Sequence, residues 1–290
     1  MQIFRPSSLP EALELRAAHP EALPIAGGTD VMVELNFGRS RPAALLDISR
    51  LPELRAIGRE NGTLFLGSGL PYTQIMRDLP DQVALVQASR MVGSPQIRNR
   101  GTVGGNLGTA SPAGDALPVL AVYDADVLVA SASGSRRLPW REFLVGPKRT
   151  ALAPDELIVA VEWSVARGPG SFSKIGTRNA MVIAIAGLGL QLDEPTRSVR
   201  VALESVGPTI LRAAEAETFA AGALEEAGAW SDPRARVSEA ALARFGELAA
   251  AAARPIDDVR GTAAYRRHAC AVLARRALTW ALHDRCLKAS

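Results

Sequence analysis

Arg100-Gly101-Thr102-Val103-Gly104-Gly105-Asn106-Leu107-Gly108-Thr109-Ala110-Ser111-Pro112-Ala113-Gly114-Asp115 carries five glycines in sixteen residues, with small hydroxyl side chains between them and a carboxylate at its end. Glycine lets backbone approach a ligand closely and takes dihedrals that side chains forbid. Successive amides in such a stretch converge on an anion. The earlier stretch Pro24-Ile25-Ala26-Gly27-Gly28-Thr29-Asp30 has the same chemistry. Two phosphate-cradle candidates in one chain predict a ligand with two phosphates, a dinucleotide or similar cofactor. The common nucleotide fingerprints are missing. Gly67-Ser68-Gly69 fails the G-x-G-x-x-G spacing at Tyr72, and no G-K-[ST] occurs.

Asp115 reads either as an acceptor for ribose hydroxyls or as a turn or helix cap before Ala116-Leu117-Pro118. Lys174 reads either as a cation that neutralises a flavin or phosphate or as a solvated surface group. His19, His268 and His283 lie far apart with no metal spacing. Cys270 and Cys286 form no CxxC and fit neither a zinc nor an iron–sulfur pattern, so they read as helix thiols in a reducing compartment. No nucleophile–base pair and no carboxylate dyad is apparent. The arginine pairs Arg266-Arg267 and Arg275-Arg276 mark either a solvated helix face or a protein interface.

The chain of 290 residues is 48% apolar and 22% charged, with a net charge of +3. This is the make-up of a globular protein with a sizeable core, and it disfavours a nucleic-acid role. No stretch is apolar for long enough to span a bilayer. The start carries no charged-then-apolar leader, which predicts a cytoplasmic protein.

The elements that must position the two stretches follow from patterning. A short strand at Phe4 leads to a helix with a capping box, Ser8 as N-cap and Glu11 three residues on. Leu23–Ala26 is a buried strand, Gly27-Gly28 turns the chain, and Thr29 or Asp30 caps a helix along Val31, Val33, Leu35 and Phe37. Strand, glycine turn and helix start place free amides on a phosphate. Ala44–Ile48 is a returning strand. Asn61-Gly62 joins two strands as a hairpin. Helices follow over 70–79 and 83–92, and the second glycine stretch reads as a loop. A helical turn at 118–123, a strand at 126–130, a turn at Gly134-Ser135 and a helix at 140–144 precede the clearest strand, 156–163. After a linker near Gly168-Pro169, three antiparallel strands are predicted at 172–175, 182–192 and 199–206. Helices fill 211–253, broken at Ser231-Asp232-Pro233, and 263–287.

The two glycine stretches, together with Ser111-Pro112-Ala113-Gly114-Asp115, resemble the FAD-binding medium subunit of the molybdenum hydroxylases, the family of the xanthine and carbon monoxide dehydrogenases. Lys174-Ile175-Gly176-Thr177-Arg178-Asn179-Ala180 looks like the motif opening that family's C-terminal domain, and Ile256 to Arg267 like its closing signature. The resemblance covers almost the whole chain. It implies an α+β fold: a two-subdomain FAD-binding domain of the vanillyl-alcohol-oxidase/PCMH type, then a C-terminal α+β domain with a three-stranded antiparallel sheet plus helices. The expected divisions are 1–54, 55–168 and 169–290.

By the same resemblance, the FAD site comprises Pro24, Ile25, Ala26, Gly27, Gly28, Thr29 and Asp30 with Thr102, Val103, Gly104, Gly105 and Asn106, both around the pyrophosphate. Thr109 and Ser111 share the second stretch, Asp115 takes the ribose, and Ile158 and Lys174 lie near the flavin ring. No metal and no catalytic residue is expected on this chain. The implied role is electron transfer. A molybdopterin-binding large subunit hydroxylates substrate, a small subunit with [2Fe–2S] clusters carries electrons, and FAD passes them on to NAD or another acceptor. Many relatives place an aspartate after Arg178, where this chain reads Met181-Val182-Ile183. That variant resembles the xanthine dehydrogenase-like branch. A stand-alone flavin oxidoreductase of the same fold and a cofactor-free scaffold subunit are the alternatives.

Overall fold

In the computed structural model, which describes residues 1–288, the chain forms two compact units. The first comprises Met1–Asp78, Val92–Ser111 and Asp124–Val165, and the second comprises Leu79–Met91, Pro112–Tyr123 and the chain from Ala166 onward.

The first unit opens with a parallel sheet ordered β1 (Gln2–Phe4), β3 (Ala44–Asp47), β2 (Leu23–Ile25). Its central strand buries Ala44, Leu45 and Leu46. The helix Leu9–Ala18 is capped as expected: the Ser8 side chain accepts from the Glu11 amide, and the Ser8 backbone interacts in return with the Glu11 carboxylate. That carboxylate also accepts from the amide and hydroxyl of Ser7, both at 2.7 Å. The helix Val31–Asn36 follows the glycine turn, and no residue of it is buried.

A five-stranded antiparallel sheet follows, ordered β4 (Ile57–Glu60), β5 (Thr63–Gly67), β10 (Leu157–Ser164), β6 (Asp126–Ser131), β7 (Gly134–Pro139). The β4–β5 turn places Asn61 at φ 48° and Gly62 at φ 78°. That is the two-residue hairpin conformation which Asn-Gly favours. The β6–β7 turn lies earlier than the predicted Gly134-Ser135, because Gly134 already pairs with Ser131. A small hairpin, β8 (Leu144–Gly146) and β9 (Arg149–Thr150), completes the strands of this unit.

The second glycine stretch is not a loop. It folds as the helix Val103–Thr109, N-capped by Thr102 and ended by Ala110 in the left-handed region. Glycine is a poor helix former, so capping and packing must hold this helix.

The second unit is built on an antiparallel sheet ordered β11 (Gly170–Ile175), β12 (Ala186–Asp193), β13 (Ser198–Glu204), β14 (Leu211–Arg212). The fourth strand replaces the predicted start of the helical region, since Leu211 and Arg212 pair with Leu203 and Ala202. Every residue of β12 is buried. It begins four residues later than Val182, and the Arg178 guanidinium donates to the carbonyls of Ala180 and Met181 in the loop before it. Gly189 lets the helix Leu117–Val122 lie on the sheet, because a Cβ there would meet the Pro118 carbonyl oxygen at 2.9 Å. The helices Ala214–Glu226, Glu239–Ala252 and Ala263–Lys288 build the core with β12 and β13. Cys270 is fully buried in that core, and burial pushes its thiol up to about 12.

Arg266 is neither on a solvated face nor at an interface. It is 1% exposed, and its guanidinium donates to the carbonyls of Ile185 and Ser205 at 2.7 Å each and to Asp258 at 2.6 Å. A buried charge persists only when its donors are matched in this way. The Arg260 hydrogen bond first, and then the charge of Arg266, hold the Asp258 carboxyl well below the usual carboxylate range. Arg266→Met should cost about 2–4 kcal/mol, because two buried carbonyls and a carboxylate lose their donor. Denaturant unfolding checks this, and a loss below about 0.5 kcal/mol, the range of ordinary surface changes, would contradict it.

Candidate cofactor-binding site

The two glycine stretches touch backbone to backbone within the first unit. A Cβ at Gly27 would lie 2.1 Å from the Arg100 carbonyl oxygen, so this approach requires glycine. Gly28 follows at φ +77°, in the region that side chains rarely adopt. Among the described residues, the backbone amides of Gly27, Gly28 and Thr29 donate to no protein acceptor, although all three residues are half-buried. Backbone amides without protein acceptors are donors open to water or to a ligand. Three in succession around a left-handed glycine make a concavity for an anion.

The second stretch supports this turn from the side. Thr102 Oγ1 accepts from the Gly105 amide at 2.9 Å, and the Gly104 amide donates to the Ser68 carbonyl at 2.9 Å. The Asn106 amide returns to the Thr102 carbonyl at 3.0 Å. These amides are satisfied inside the chain, whereas those of Gly27–Thr29 are open. A Cβ at Gly104 would come within 2.5 Å of the Ser68 Cβ, which seats the helix on the 68–69 turn. Thr109 donates to Asp30 at 2.8 Å and ties the far end of the helix to the first stretch. Ala26, Gly27, Gly69, Thr102, Arg55 and Arg100 line a small recess where these segments meet.

Ile158 joins this arrangement through a β-bulge. The β10–β6 register shifts between Ile158 and Ala160, and a bulge re-aims side chains. Ser68 binds both sides of it, its hydroxyl donating to the Ile158 carbonyl at 2.7 Å and its amide to the Val159 carbonyl at 2.9 Å. The Ile158 side chain lies 3.7 Å from where a Gly108 Cβ would stand. Pro24 and Ile25 end β2 immediately before the turn. Val103 is fully buried and Ser111 half-buried.

Asp115 and Lys174 belong to the second unit and meet there. Lys174 Nζ lies 2.7 Å from Asp115 Oδ2 and also donates to the Met91 carbonyl at 3.1 Å. Both side chains are buried. Burial pushes the Asp115 carboxyl up to about 6, against the opposing charge of Lys174. Asp115 is therefore neither a plain turn cap nor Lys174 a solvated surface group. Sequence reasoning missed Glu204, the one carboxylate in the strand segment Val199–Val206, which is fully buried in the same unit.

A family model described as the FAD binding domain in molybdopterin dehydrogenase matches residues 1–163. The chain belongs to that family. A second model, the CO dehydrogenase flavoprotein C-terminal domain, matches residues 171–281. The nicotinate dehydrogenase FAD-subunit of Eubacterium barkeri is 36% identical over 65% of this chain and 67% of its own length. The xanthine dehydrogenase FAD-binding subunit of Escherichia coli O157:H7 is 34% identical over 76% of this chain and 78% of its own. A solved carbon monoxide dehydrogenase from Hydrogenophaga pseudoflava, one that lacks the Mo-pyranopterin moiety, superposes with a TM-score of 0.84 at 27% identity over 98% of both chains.

FAD is thus the cofactor of this family member, an FAD-binding subunit of the molybdenum hydroxylase oxidoreductases in which catalysis takes place on the molybdopterin partner. The open amides of Gly27–Thr29 fit a pyrophosphate. Among the described residues, no helix is long and apolar enough to cross a membrane. Gly27→Ala should force the turn away from Arg100, cost about 1–3 kcal/mol of stability by overpacking, and weaken FAD binding at least about tenfold. Thermal unfolding and a flavin fluorescence titration check this, and unchanged values in both would show that the contact is unimportant.

Proposed function

We propose that this chain is the electron-transferring subunit of a three-subunit molybdenum hydroxylase. It takes electrons from a [2Fe–2S] small subunit and passes them to NAD or another acceptor, while a molybdopterin-binding large subunit hydroxylates the substrate. The observation that carries the reading is the row of open amides at Gly27–Thr29 held against Arg100. FAD supplies the exchange between electron pairs and single electrons, and the protein supplies its binding and electrostatics. Gly27, Gly28 and Thr29 bind the pyrophosphate through their amides. Thr102 to Asn106 hold that turn in place, with Asp30 and Thr109 fixing its edge. Ile158, aimed by the bulge, offers an apolar contact near the flavin ring. For Asp115 and Lys174 the proposal keeps the ribose and the flavin as their respective partners.

The finer reading is a xanthine dehydrogenase-like complex in the cytoplasm. The Met181-Val182-Ile183 segment and the xanthine dehydrogenase relative support it. The division of the chain at residues 54 and 168 is part of this proposal, and the separate parallel and antiparallel sheets on either side of residue 54 support its first boundary.

The purified chain should carry one FAD, visible as bands near ~370 and ~450 nm and released by acid. Anaerobic NADH should bleach the longer-wavelength band if NAD is the acceptor. Persistence of that band would direct the acceptor away from NAD. No flavin on isolation and none taken up from added FAD would overturn the electron-transfer reading in favour of a cofactor-free scaffold.

A further inference from the structure

Glu204 is fully buried, and neither of its carboxylate oxygens has a hydrogen-bond partner among the described residues. Its place in the sheet explains how it fits. Lys174 on β11, Gly187 on β12 and Glu204 on β13 lie directly opposite one another in register. Residues opposite one another across neighbouring strands project from the same face. Gly187 has no side chain, and a Cβ there would lie 2.1 Å from Glu204 Oε1. The Glu204 carboxyl therefore occupies the space above Gly187, on the face that carries Lys174.

The segment bearing Asp115 is fastened over the same ground. The Ser205 amide donates to the Pro112 carbonyl at 2.7 Å, and Lys174 Nζ reaches Asp115 three residues further on. Two carboxyls and one ammonium thus share a buried site. The charged groups around Glu204 are Lys174 from β11, Asp115 from the segment before the helix Leu117–Val122, and Arg266 from the last helix, whose guanidinium sits on the Ser205 carbonyl. Arg212 on β14 is taken by Glu217. Burial drives the Glu204 carboxyl well above the usual range, the charge of Asp115 adds to this, and Lys174 opposes it. An ionised carboxylate with two bare oxygens costs far more to keep in such a place than the neutral acid does.

We propose that Glu204 is a proton-bearing positioning residue: as the neutral acid it leaves the Lys174 ammonium to Asp115, and on losing its proton to solvent it draws that ammonium across Gly187 and releases Asp115. The cluster is then a proton-operated switch on Asp115. Its bearing on the cofactor rests on the FAD reading above, but the protonation of Glu204 does not.

Difference infrared spectroscopy over a pH series of the full chain tests it. The carbonyl stretch of a protonated acid should be present at neutral pH, shift in D2O, and be absent from Glu204→Gln. Its midpoint should move by about one pH unit or more in opposite directions, down in Asp115→Asn and up in Lys174→Met. The wild type should also lose thermal stability as pH rises above the ordinary glutamate range. Its unfolded state has by then released a proton that the native state keeps, and Glu204→Gln should lack that decline. FAD affinity should change several-fold across the infrared midpoint in the wild type and stay flat in Glu204→Gln. No acid band at neutral pH, a midpoint unmoved by both neighbours, or the same stability profile with and without Glu204 would overturn the proposal. Normal infrared behaviour in a chain that takes up no FAD would overturn the cofactor reading and leave the proton-bearing cluster standing.

Discussion

The candidate site in the first unit depends on one steric constraint, the approach of Gly27 to the carbonyl of Arg100. At 2.1 Å for a hypothetical Cβ, the contact admits no side chain. It brings a turn that follows a parallel strand against a helix that follows a separate loop. Two further contacts fix the relation, Gly104 against Ser68 and Thr109 on Asp30. The helix Val103–Thr109 uses its own amides to satisfy Thr102 and Ser68. It serves as a rigid wall, and the donors it supports lie on the other stretch. This division of labour is economical in entropy, since a preformed concavity has little ordering left to lose when an anion enters.

The second unit shows the same use of missing side chains for a different purpose. Gly189 admits a helix backbone onto the sheet and Gly187 admits a carboxyl. Around these gaps the unit keeps buried polar groups that a purely apolar core would lack, namely Arg266 on two carbonyls and the Asp115–Lys174 pair. Breaking such groups singly costs more than they contribute as pairs, so they specify one arrangement of the loops that carry them.

Much of this was legible in the sequence, and the failures have identifiable causes. Asn61-Gly62 announced its hairpin because both residues must take positive φ, and few other pairs do so readily. The apolar run Leu157–Val161 announced the clearest strand, and Ser8 a helix cap. The glycine stretch was misread as a loop because intrinsic propensity argues against a helix there. Only the Thr102 cap and the packing against Ser68 overrule it. Arg266 was invisible as a core residue because its partners are backbone carbonyls of Ile185 and Ser205, far away in the chain and carrying no side-chain signature. Strand β14 was lost because two residues show no period. At the candidate site the glycines that make the close approaches, Gly27 and Gly104, were visible by residue type. Which of their amides stay open could not be read, since that depends on the Ser68 carbonyl more than thirty residues earlier.

The central claim is that the open amides of Gly27–Thr29 hold the cofactor's pyrophosphate while the helix Val103–Thr109 supports them. Amide hydrogen exchange of the full chain, followed by mass spectrometry with and without FAD, tests it directly. The account predicts that FAD slows exchange most strongly in the peptide spanning Gly27–Thr29, with a smaller effect over 104–109, whose amides are already bonded. Protection that leaves Gly27–Thr29 unchanged, or that falls chiefly on the already bonded helix, would contradict it.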